Sequence, residues 1–249
     1  MITKTNQKDA VIEYLERDKY IYLNALGHLN NNSESVIYLF NNDIENGVII
    51  DGGEQEFFFL CTYDTGFMSE FWDSLPPGHK GFSGVPKPVA ELFQKGKEIS
   101  WQNSCKVFAL KGTHERVQSD RYVCESLTAA DAEEVDKFYT YRWEGSLDRI
   151  REYIVRRDSA CVRIDGQLAS WCTVHLEDNS MGPLYTKDEY RGSGLGFVVA
   201  SDLICKLVAK NVIPFVHIVE SNDISLHLAN NLKGMEYSHD CWWFGVEKE

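Results

Sequence analysis

Residues 184–196 read Leu-Tyr-Thr-Lys-Asp-Glu-Tyr-Arg-Gly-Ser-Gly-Leu-Gly, the most informative stretch of the chain. An apolar run enters it, and an apolar pattern with helical spacing follows through residue 210. Glycines at every second position, 192, 194 and 196, leave three backbone N–H groups unobstructed by side chains. Where such a turn opens a helix, these N–H groups and the helix dipole attract an anion. The stretch therefore predicts a turn that binds a phosphate or pyrophosphate.

The size and composition of the chain limit the classes of protein to which it can belong. The chain has 249 residues, enough for one large domain or two ordinary ones. Its net charge of -13 argues against a nucleic-acid partner, because no basic stripe is available to neutralise phosphates. No apolar run approaches the ~20 residues of a membrane-spanning helix. The first residues lack the apolar core of a signal peptide, so we expect a cytoplasmic protein with no membrane partner.

Cysteine usage bears on redox state and on metals. The seven cysteines are scattered and odd in number, and no Cys-x-x-Cys spacing occurs. Such a pattern is more typical of reduced, buried thiols in a cytosolic protein than of disulfides or a zinc site. We therefore expect no metal.

The first half has the pattern of an α+β domain. Helical spacing covers residues 8–29, and a helix is expected after Pro86. Short apolar runs separated by turn residues predict an antiparallel meander; they lie at residues 36–40, 47–50 and 57–60. A further strand is expected at 107–110, whereas the Pro- and Gly-rich residues 76–84 are expected to be irregular.

A polar stretch without periodicity, residues 111–120, suggests a domain boundary, which we place between domains 1–118 and 119–249. The second domain is expected to begin with a strand at 122–127, followed by a helix that Thr128 caps together with Asp131. The next elements are a helix at 147–155, a hairpin turning at Asp165-Gly166 and a strand with a bulge or a break in pairing at Pro183. The glycine turn with its helix follows, and then come a strand at 215–219, a helix at 221–232 and a strand at 241–246.

This order of elements resembles the GNAT superfamily of acyl-CoA-dependent N-acyltransferases. Arg191-Gly192-Ser193-Gly194-Leu195-Gly196 matches the pyrophosphate loop of that family, and Asn222-Asp223-Ile224-Ser225-Leu226-His227-Leu228 matches its later Asn-x-x-Ala/Ser-x-x-Leu motif. The resemblance covers residues 121–249. It implies an α/β (α+β) fold with a GNAT-like mixed twisted sheet and flanking helices in the C-terminal half. The smaller α+β domain before it is either a degenerate GNAT-like half or a packing domain.

The resemblance also implies a co-substrate, acetyl-CoA or another acyl-CoA, whose acyl group passes directly to an amine. The residues implied to bind it are Leu184, Tyr185, Thr186, Arg191, Gly192, Ser193, Gly194, Leu195, Gly196, Asn222 and Ser225. In the family, a splay beside the strand at 184–186 lets the amides of the pantetheine arm pair like a strand. The acceptor is a small-molecule or peptide amine, and both a monomer and a homodimer remain open.

The catalytic residues are less directly indicated. Many family members place a tyrosine, as acid for the departing thiolate, where this chain has Ala229. Tyr237 is our first candidate for that acid, followed by Tyr185. Glu220, at the end of the last core strand, is our first candidate base; the others are Glu177, Asp178 and His217.

Other functions remain as alternatives. Ala229, at the place where a tyrosine is often found, motivates the alternative of a non-catalytic acyl-CoA sensor. A dinucleotide site is a weaker alternative, because the spacing is Gly-x-Gly-x-Gly rather than Gly-x-Gly-x-x-Gly. Residues 81–92 resemble, more weakly, a segment of two-domain glycine N-acyltransferase-like proteins.

Overall fold

The computed structural model describes residues 1–53, 57–117 and 119–249, which form two compact units. Unit 1 comprises Met1–Val107, His217–Asn222 and Tyr237–Glu249, and unit 2 comprises Phe108–Val216 and Asp223–Glu236. The units are thus assembled from non-contiguous segments. The boundary predicted at residue 118 lies outside the described residues, and the division into domains 1–118 and 119–249 stays a prediction.

Helices and strands are interspersed along the whole chain. In order they are β1 (Ile2–Thr5), α1 (Lys8–Glu16), α2 (Leu23–Asn31), β2 (Val36–Phe40), β3 (Asp43–Asp51), β4 (Phe57–Cys61), α3 (Thr65–Ser74), β5 (Gly78–Pro86), α4 (Lys87–Phe93), β6 (Ile99–Leu110), β7 (Cys124–Glu125), α5 (Ala132–Lys137), α6 (Ser146–Arg156), β8 (Ala160–Ile164), β9 (Gln167–Val174), β10 (Met181–Thr186), α7 (Leu195–Ala209), β11 (Phe215–Val219), α8 (Asp223–Asn231) and β12 (Met235–Lys248).

An eight-stranded sheet has the strand order β1-β2-β3-β4-β5-β12-β6-β11. The predicted meander is confirmed, since β2, β3 and β4 pair antiparallel in sequence. The prediction for residues 76–84 was wrong, because β5 is a strand. It pairs parallel with β4 and antiparallel with β12, and Phe82 lies opposite Phe244. Tertiary pairing therefore overrides the turn-forming composition of this segment.

A second sheet of four strands, ordered β10-β9-β8-β7, forms the core of unit 2. The β8–β9 hairpin turns at Asp165 and Gly166, both with positive φ (51° and 78°), as the sequence predicted. The register of β10 against β9 shifts between Met181 and Leu184, which confirms the predicted bulge or break in pairing at Pro183. The strand predicted at 122–127 is reduced to the two residues of β7.

The helices of unit 2 cover this sheet through apolar faces. Helix α7 packs on β8, β9 and β10, and its buried face includes Leu195, Val199 and Leu203. Trp171 of β9 is 1% exposed, and its ring lies 5.7 Å from that of Phe138. The sheet and α7 therefore hold the stretch from β10 to α7 on a packed core.

The start of the helical segment after β7 is fixed by a polar cap, as predicted. The Thr128 N–H and hydroxyl donate to Asp131 Oδ2 at 2.7 and 2.8 Å. Arg163 Nη2 donates to both carboxylate oxygens of Asp131, at 2.9 and 2.8 Å. This buried carboxylate thus joins the cap to β8.

We expect Asp131→Asn to lower the free energy of unfolding at pH 7 by about 1–2 kcal/mol, because a cap and a charge-assisted bond weaken together. Burial alone raises the pKa of Asp131, but the bonds from Thr128 and Arg163 outweigh it and bring the pKa below its ordinary value. A depressed carboxyl pKa stabilises the fold above the unfolded pKa of about 3.9, and this stabilisation is lost as pH falls through the folded pKa.

Urea unfolding at pH 7 and below pH 4 measures this effect. The loss caused by Asp131→Asn should shrink at the acidic pH. Asp148→Asn is the control, since Asp148 pairs with Arg151 at 2.8 Å but is 84% exposed. A pH-independent difference between Asp131→Asn and the parent protein would contradict the assignment.

Candidate functional site

The glycine loop, Arg191–Gly196, leads into α7. Gly192 and Gly194 have φ of 76° and 85°, in the left-handed region, and Gly194 is the N-cap of α7. A Cβ added at either glycine would meet nothing within 4 Å. Backbone conformation, rather than crowding, therefore requires glycine at these two positions. The loop presents an open surface beside the first-turn N–H groups of α7, which have no intrahelical acceptor.

Gly196 has a different role. A Cβ there would lie 3.1 Å from Leu228 Cδ1, 3.6 Å from Thr186 Oγ1 and 3.9 Å from Leu184 Cδ2. The absence of a side chain lets both α8 and the end of β10 approach the first turn of α7 closely. Since Leu228 is the last residue of the Asn-x-x-Ser-x-x-Leu motif, the two sequence motifs meet at Gly196.

Arg191 is the basic residue of the loop. Its Nη2 lies 2.9 Å from Asp188 Oδ1, and its Nε donates to the Thr186 carbonyl at 3.3 Å. The guanidinium also lies over the ring of Tyr185, 5.6 Å from its centroid. The Ser193 hydroxyl donates to the Tyr190 carbonyl and closes the turn. With its side chain 50% exposed, Arg191 is positioned to bind an anionic ligand in exchange for Asp188.

Strand β10 is an edge strand of its four-stranded sheet, because β9 is its only neighbour in the part of the chain that the structure describes. Leu184, Tyr185 and Thr186 are half-buried. An edge strand exposes one row of backbone N–H and C=O groups, which can pair with an extended chain of amides. The open glycine loop and this edge strand therefore lie next to each other within unit 2.

The residues of the later motif are divided between the units. Ser225 lies near the start of α8 in unit 2, together with the glycine loop. Asn222 belongs to unit 1, and its N–H donates to the Val219 carbonyl at 2.8 Å. Ala229 is buried, with 2% exposure, so a side chain at this position faces the protein interior.

Glu220 and Tyr237 meet in unit 1, in a group that we call the lysine cluster: Lys106, Glu220, Tyr237 and Asp240. Lys106 Nζ lies 3.5 Å from Glu220 Oε1 and 3.1 Å from Asp240 Oδ1. The Tyr237 hydroxyl donates to Asp240 Oδ1 at 2.9 Å. The sheet order β12-β6-β11 brings these side chains together, so Lys106 and Asp240 carried no signal in the sequence.

Charge and burial shift the ionisation of this cluster. Burial, followed by the bond to Asp240, raises the pKa of Tyr237. The bond to Asp240 raises the pKa of Lys106. Burial alone raises the pKa of Asp240, but the bonds from Lys106 and Tyr237 bring it below its ordinary value. At neutral pH Tyr237 is therefore a protonated phenol, and Lys106 and Asp240 form an ion pair.

The other carboxylates considered as bases lie between β9 and β10. Glu177 accepts a bond from the Tyr153 hydroxyl at 3.0 Å, and Arg149 Nε lies 3.3 Å from it. Asp178 is buried and accepts the N–H and hydroxyl of Ser180 at 2.9 and 2.7 Å. Burial raises the pKa of Asp178. The hydrogen bonds of Asp178 therefore stabilise the loop between β9 and β10. Glu177 is the more exposed of the two carboxylates.

His217, the last candidate base, lies on β11 in unit 1. Its Nδ1 accepts a bond from Trp243 Nε1 at 2.9 Å, which engages that nitrogen. Among the described residues, no three His, Cys, Asp or Glu side chains form a group that could hold a metal ion. Nor does that part of the chain contain a helix long and apolar enough to cross a membrane.

Residues 160–243 match the family model described as FR47-like protein, and this region includes β10, the glycine loop and α8. An acetyltransferase of the GNAT family from Colwellia psychrerythraea matches over 100% of both chains, with a TM-score of 0.60 and 11% identity. The chain has the GNAT fold. No curated protein matches its sequence.

Two further structures share this fold over nearly the whole chain. A GCN5-related N-acetyltransferase-like protein from Streptococcus suis covers 96% of this chain and 99% of its own, with a TM-score of 0.57 and 14% identity. A Drosophila protein has a TM-score of 0.76 at 14% identity, covering 99% of this chain and 98% of its own. The GNAT fold and the FR47-like region confirm the resemblance seen in the sequence.

Proposed function

We propose that this protein is an acetyl- or acyl-CoA-dependent N-acyltransferase that acts on the amine of a small molecule or peptide. The observation that carries the proposal is the meeting of the two motifs at Gly196, beside the edge strand β10. An ordinary strand-to-helix turn needs neither two left-handed glycines nor an exposed arginine. The GNAT fold supports the same conclusion.

The glycine loop is proposed to hold the pyrophosphate through Arg191 and the N–H groups of residues 192–196, where the helix dipole of α7 adds to the attraction. Backbone groups of Leu184–Thr186 are proposed to pair with the pantetheine amides. Asn222 and Ser225 remain proposed contacts of coenzyme A. The bound acyl-CoA supplies a thioester, which is activated towards an amine.

Transfer requires three proton movements. The acceptor ammonium loses a proton to a base, and the lone pair of its nitrogen then forms a bond to the thioester carbonyl carbon. The C–S bond breaks, the thiolate takes up a proton from an acid, and the new amide nitrogen gives up its second proton, which restores the acid. We propose Glu220 as the base and Tyr237 as the acid, because the raised pKa of Tyr237 keeps its hydroxyl protonated at neutral pH.

The test is acyl-CoA binding by calorimetry together with thiol release from acetyl-CoA across a panel of amines. We expect binding in the micromolar range and turnover on at least one amine. Binding without turnover on every amine would favour a sensor over an enzyme. Stabilisation by NAD, and not by acetyl-CoA, in a melting assay would favour a dinucleotide-binding protein.

Tyr237→Phe is expected to lower kcat by about tenfold with little change in KM, because the acid acts in the transition state and the thiol is a good leaving group. Steady-state kinetics with the best amine of the panel measure this. Tyr63→Phe is the control, since Tyr63 is another exposed tyrosine of unit 1 (56% against 47%). Equal kcat values for Tyr237→Phe and the parent protein would exclude Tyr237 as the acid.

A further inference from the structure

A cavity of about 260 Å³ lies in unit 1, among α1, β3 and the segment that connects β4 to α3. We call it the tyrosine cavity, and its wall includes Tyr14, Tyr22, Glu45, Cys61, Thr62 and Asp64. It shares no residue with the glycine loop or with the lysine cluster. The proposed function therefore assigns no role to this cavity.

The wall of the tyrosine cavity is a structured part of the fold. The Thr62 hydroxyl donates to the Asn46 carbonyl at 2.6 Å and accepts the Asp64 N–H at 3.1 Å. Gly47, with φ of 87°, lets this turn approach β3 closely. A Cβ at Gly47 would lie 2.5 Å from the Cys61 carbonyl oxygen and 2.6 Å from Thr62 Cβ. Hydrogen bonds and a required glycine thus hold the end of β4 against β3.

Two tyrosine hydroxyls of the wall have unused hydrogen-bonding capacity. Tyr22 is only 9% exposed, yet its hydroxyl has no hydrogen-bond partner among the residues that the structure describes. Within the same described residues, the hydroxyl of the half-buried Tyr14 also has none. Burial raises the pKa of both phenols, so both are protonated at neutral pH. Because polar groups inside a protein are normally paired, these hydroxyls indicate a ligand that can bond to them.

The two carboxylates of the wall have their charges offset locally. Arg17 Nη1 donates to both carboxylate oxygens of Glu45, at 2.9 and 2.8 Å, and its guanidinium lies 5.2 Å from the centre of the Tyr14 ring. Asp64 is the N-cap of α3 and accepts the Phe67 N–H at 2.8 Å, next to the positive end of the helix dipole. Both carboxylates still have lone pairs that can accept further hydrogen bonds.

Other charged side chains near the cavity leave a negative excess at the surface. They are all exposed, so water and salt screen them; Glu13, Glu16, Asp18 and Asp43 are negative and Lys19 is positive. An anion in the cavity would meet both carboxylates of the wall. A cation would have to displace Arg17 or compete with the N-terminus of α3. An uncharged ligand avoids both costs.

We propose that the tyrosine cavity binds an uncharged polyhydroxylated compound, a polyol or a single sugar ring. A hydroxyl group both donates and accepts hydrogen bonds. Neighbouring hydroxyls of one ligand can therefore donate to Glu45 and Asp64 and accept from Tyr14 and Tyr22. The volume of about 260 Å³ is slightly below the ~300–1,000 Å³ of typical small-molecule sites, which suits one small ring. This site does not depend on the proposed transferase function.

The probe is myo-inositol, an uncharged ring with a hydroxyl on every carbon. Cyclohexanol has the same ring with a single hydroxyl, and tetramethylammonium represents an organic cation. NMR titration of the whole protein without acyl-CoA measures the three affinities. We expect myo-inositol to bind in the millimolar range, at least about tenfold more tightly than either comparison compound. No saturable binding of myo-inositol, or equal or tighter binding of cyclohexanol or tetramethylammonium, would overturn the proposal.

Tyr22→Phe removes only the buried hydroxyl and is expected to weaken myo-inositol binding by about three- to tenfold. Its Tm without ligand should not fall, because that hydroxyl has no partner among the described residues. Tyr38→Phe is the matched control, since Tyr38 is a half-buried tyrosine of β2 in unit 1 outside the cavity. Full affinity in Tyr22→Phe, or equal losses in the two variants, would contradict the assignment, as would a Tm that falls only in Tyr22→Phe.

These outcomes are separate from those that test the transferase function. Binding of myo-inositol without acyl transfer to any amine would remove the transferase and keep the polyol site. Acyl transfer by a protein that binds no myo-inositol would remove the polyol site and keep the transferase.

Discussion

Arg191→Glu is expected to weaken coenzyme A binding by about 100-fold, because a charge-assisted contact to the pyrophosphate is replaced by repulsion. The glycine loop remains folded, since the substitution changes no backbone position and Arg191 is half exposed. Isothermal calorimetry with coenzyme A at low and high salt measures the effect. The difference between the variant and the parent protein should shrink as salt screens the charge.

Two variants control this measurement. Arg151 pairs with Asp148 at 2.8 Å, three residues before it, much as Arg191 pairs with Asp188 at 2.9 Å. Arg151→Glu therefore makes the same charge change in the same unit, away from the loop, and should leave affinity nearly unchanged. Asp188→Asn should strengthen binding, because it releases Arg191 and removes a negative charge. Equal losses in Arg151→Glu and Arg191→Glu would show that net charge, not the loop, governs binding.

Trp171→Ala is expected to lower the free energy of unfolding by about 3–5 kcal/mol, the usual range for removing a buried aromatic side chain. Trp171 is 1% exposed at the centre of the β7–β10 sheet. Its ring packs against Phe138 and Tyr185, at 5.7 and 5.3 Å. The resulting cavity would lie directly under the proposed pantetheine strand. Denaturant unfolding followed by circular dichroism measures the loss.

Trp143→Ala is the matched control for stability, since it removes the same side chain from an exposed position in the same unit. It should change the free energy of unfolding by no more than about 0.5 kcal/mol. Comparable losses in the two variants would mean that Trp171 does not support the core. Coenzyme A affinity should fall in Trp171→Ala only as far as its folded population falls.

Several features were predictable from the sequence because neighbouring residues determine them. The Asp165-Gly166 turn, the cap of Thr128 and Asp131, and the bulge at Pro183 each depend on local backbone chemistry. The alternating glycines after Arg191 belong to the same class, since Gly192 and Gly194 adopt the left-handed conformation that other residues avoid. The resemblance to the GNAT superfamily came from the order of the elements and from the two motifs, of which the glycine loop is one.

Other features depended on contacts between distant segments. Residues 78–86 contain turn-forming glycines and a proline, yet pairing with β4 and β12 makes them a strand. Lys106 and Asp240 are 134 residues apart and meet only because β6 lies beside β12. The sequence also did not predict that α8 approaches α7 closely at Gly196, because the neighbouring side chain, Leu228, belongs to another helix.

The amino-acid sequence was sufficient for the glycine loop, its arginine and the order of the elements from α5 to β12, because short-range sterics and hydrophobic periodicity specify them. Only the tertiary structure decided which side chains surround Glu220 and Tyr237 and which aromatic rings border β10. Strand order and helix packing are set by the burial of apolar surface summed over the whole chain, and no single segment encodes that sum.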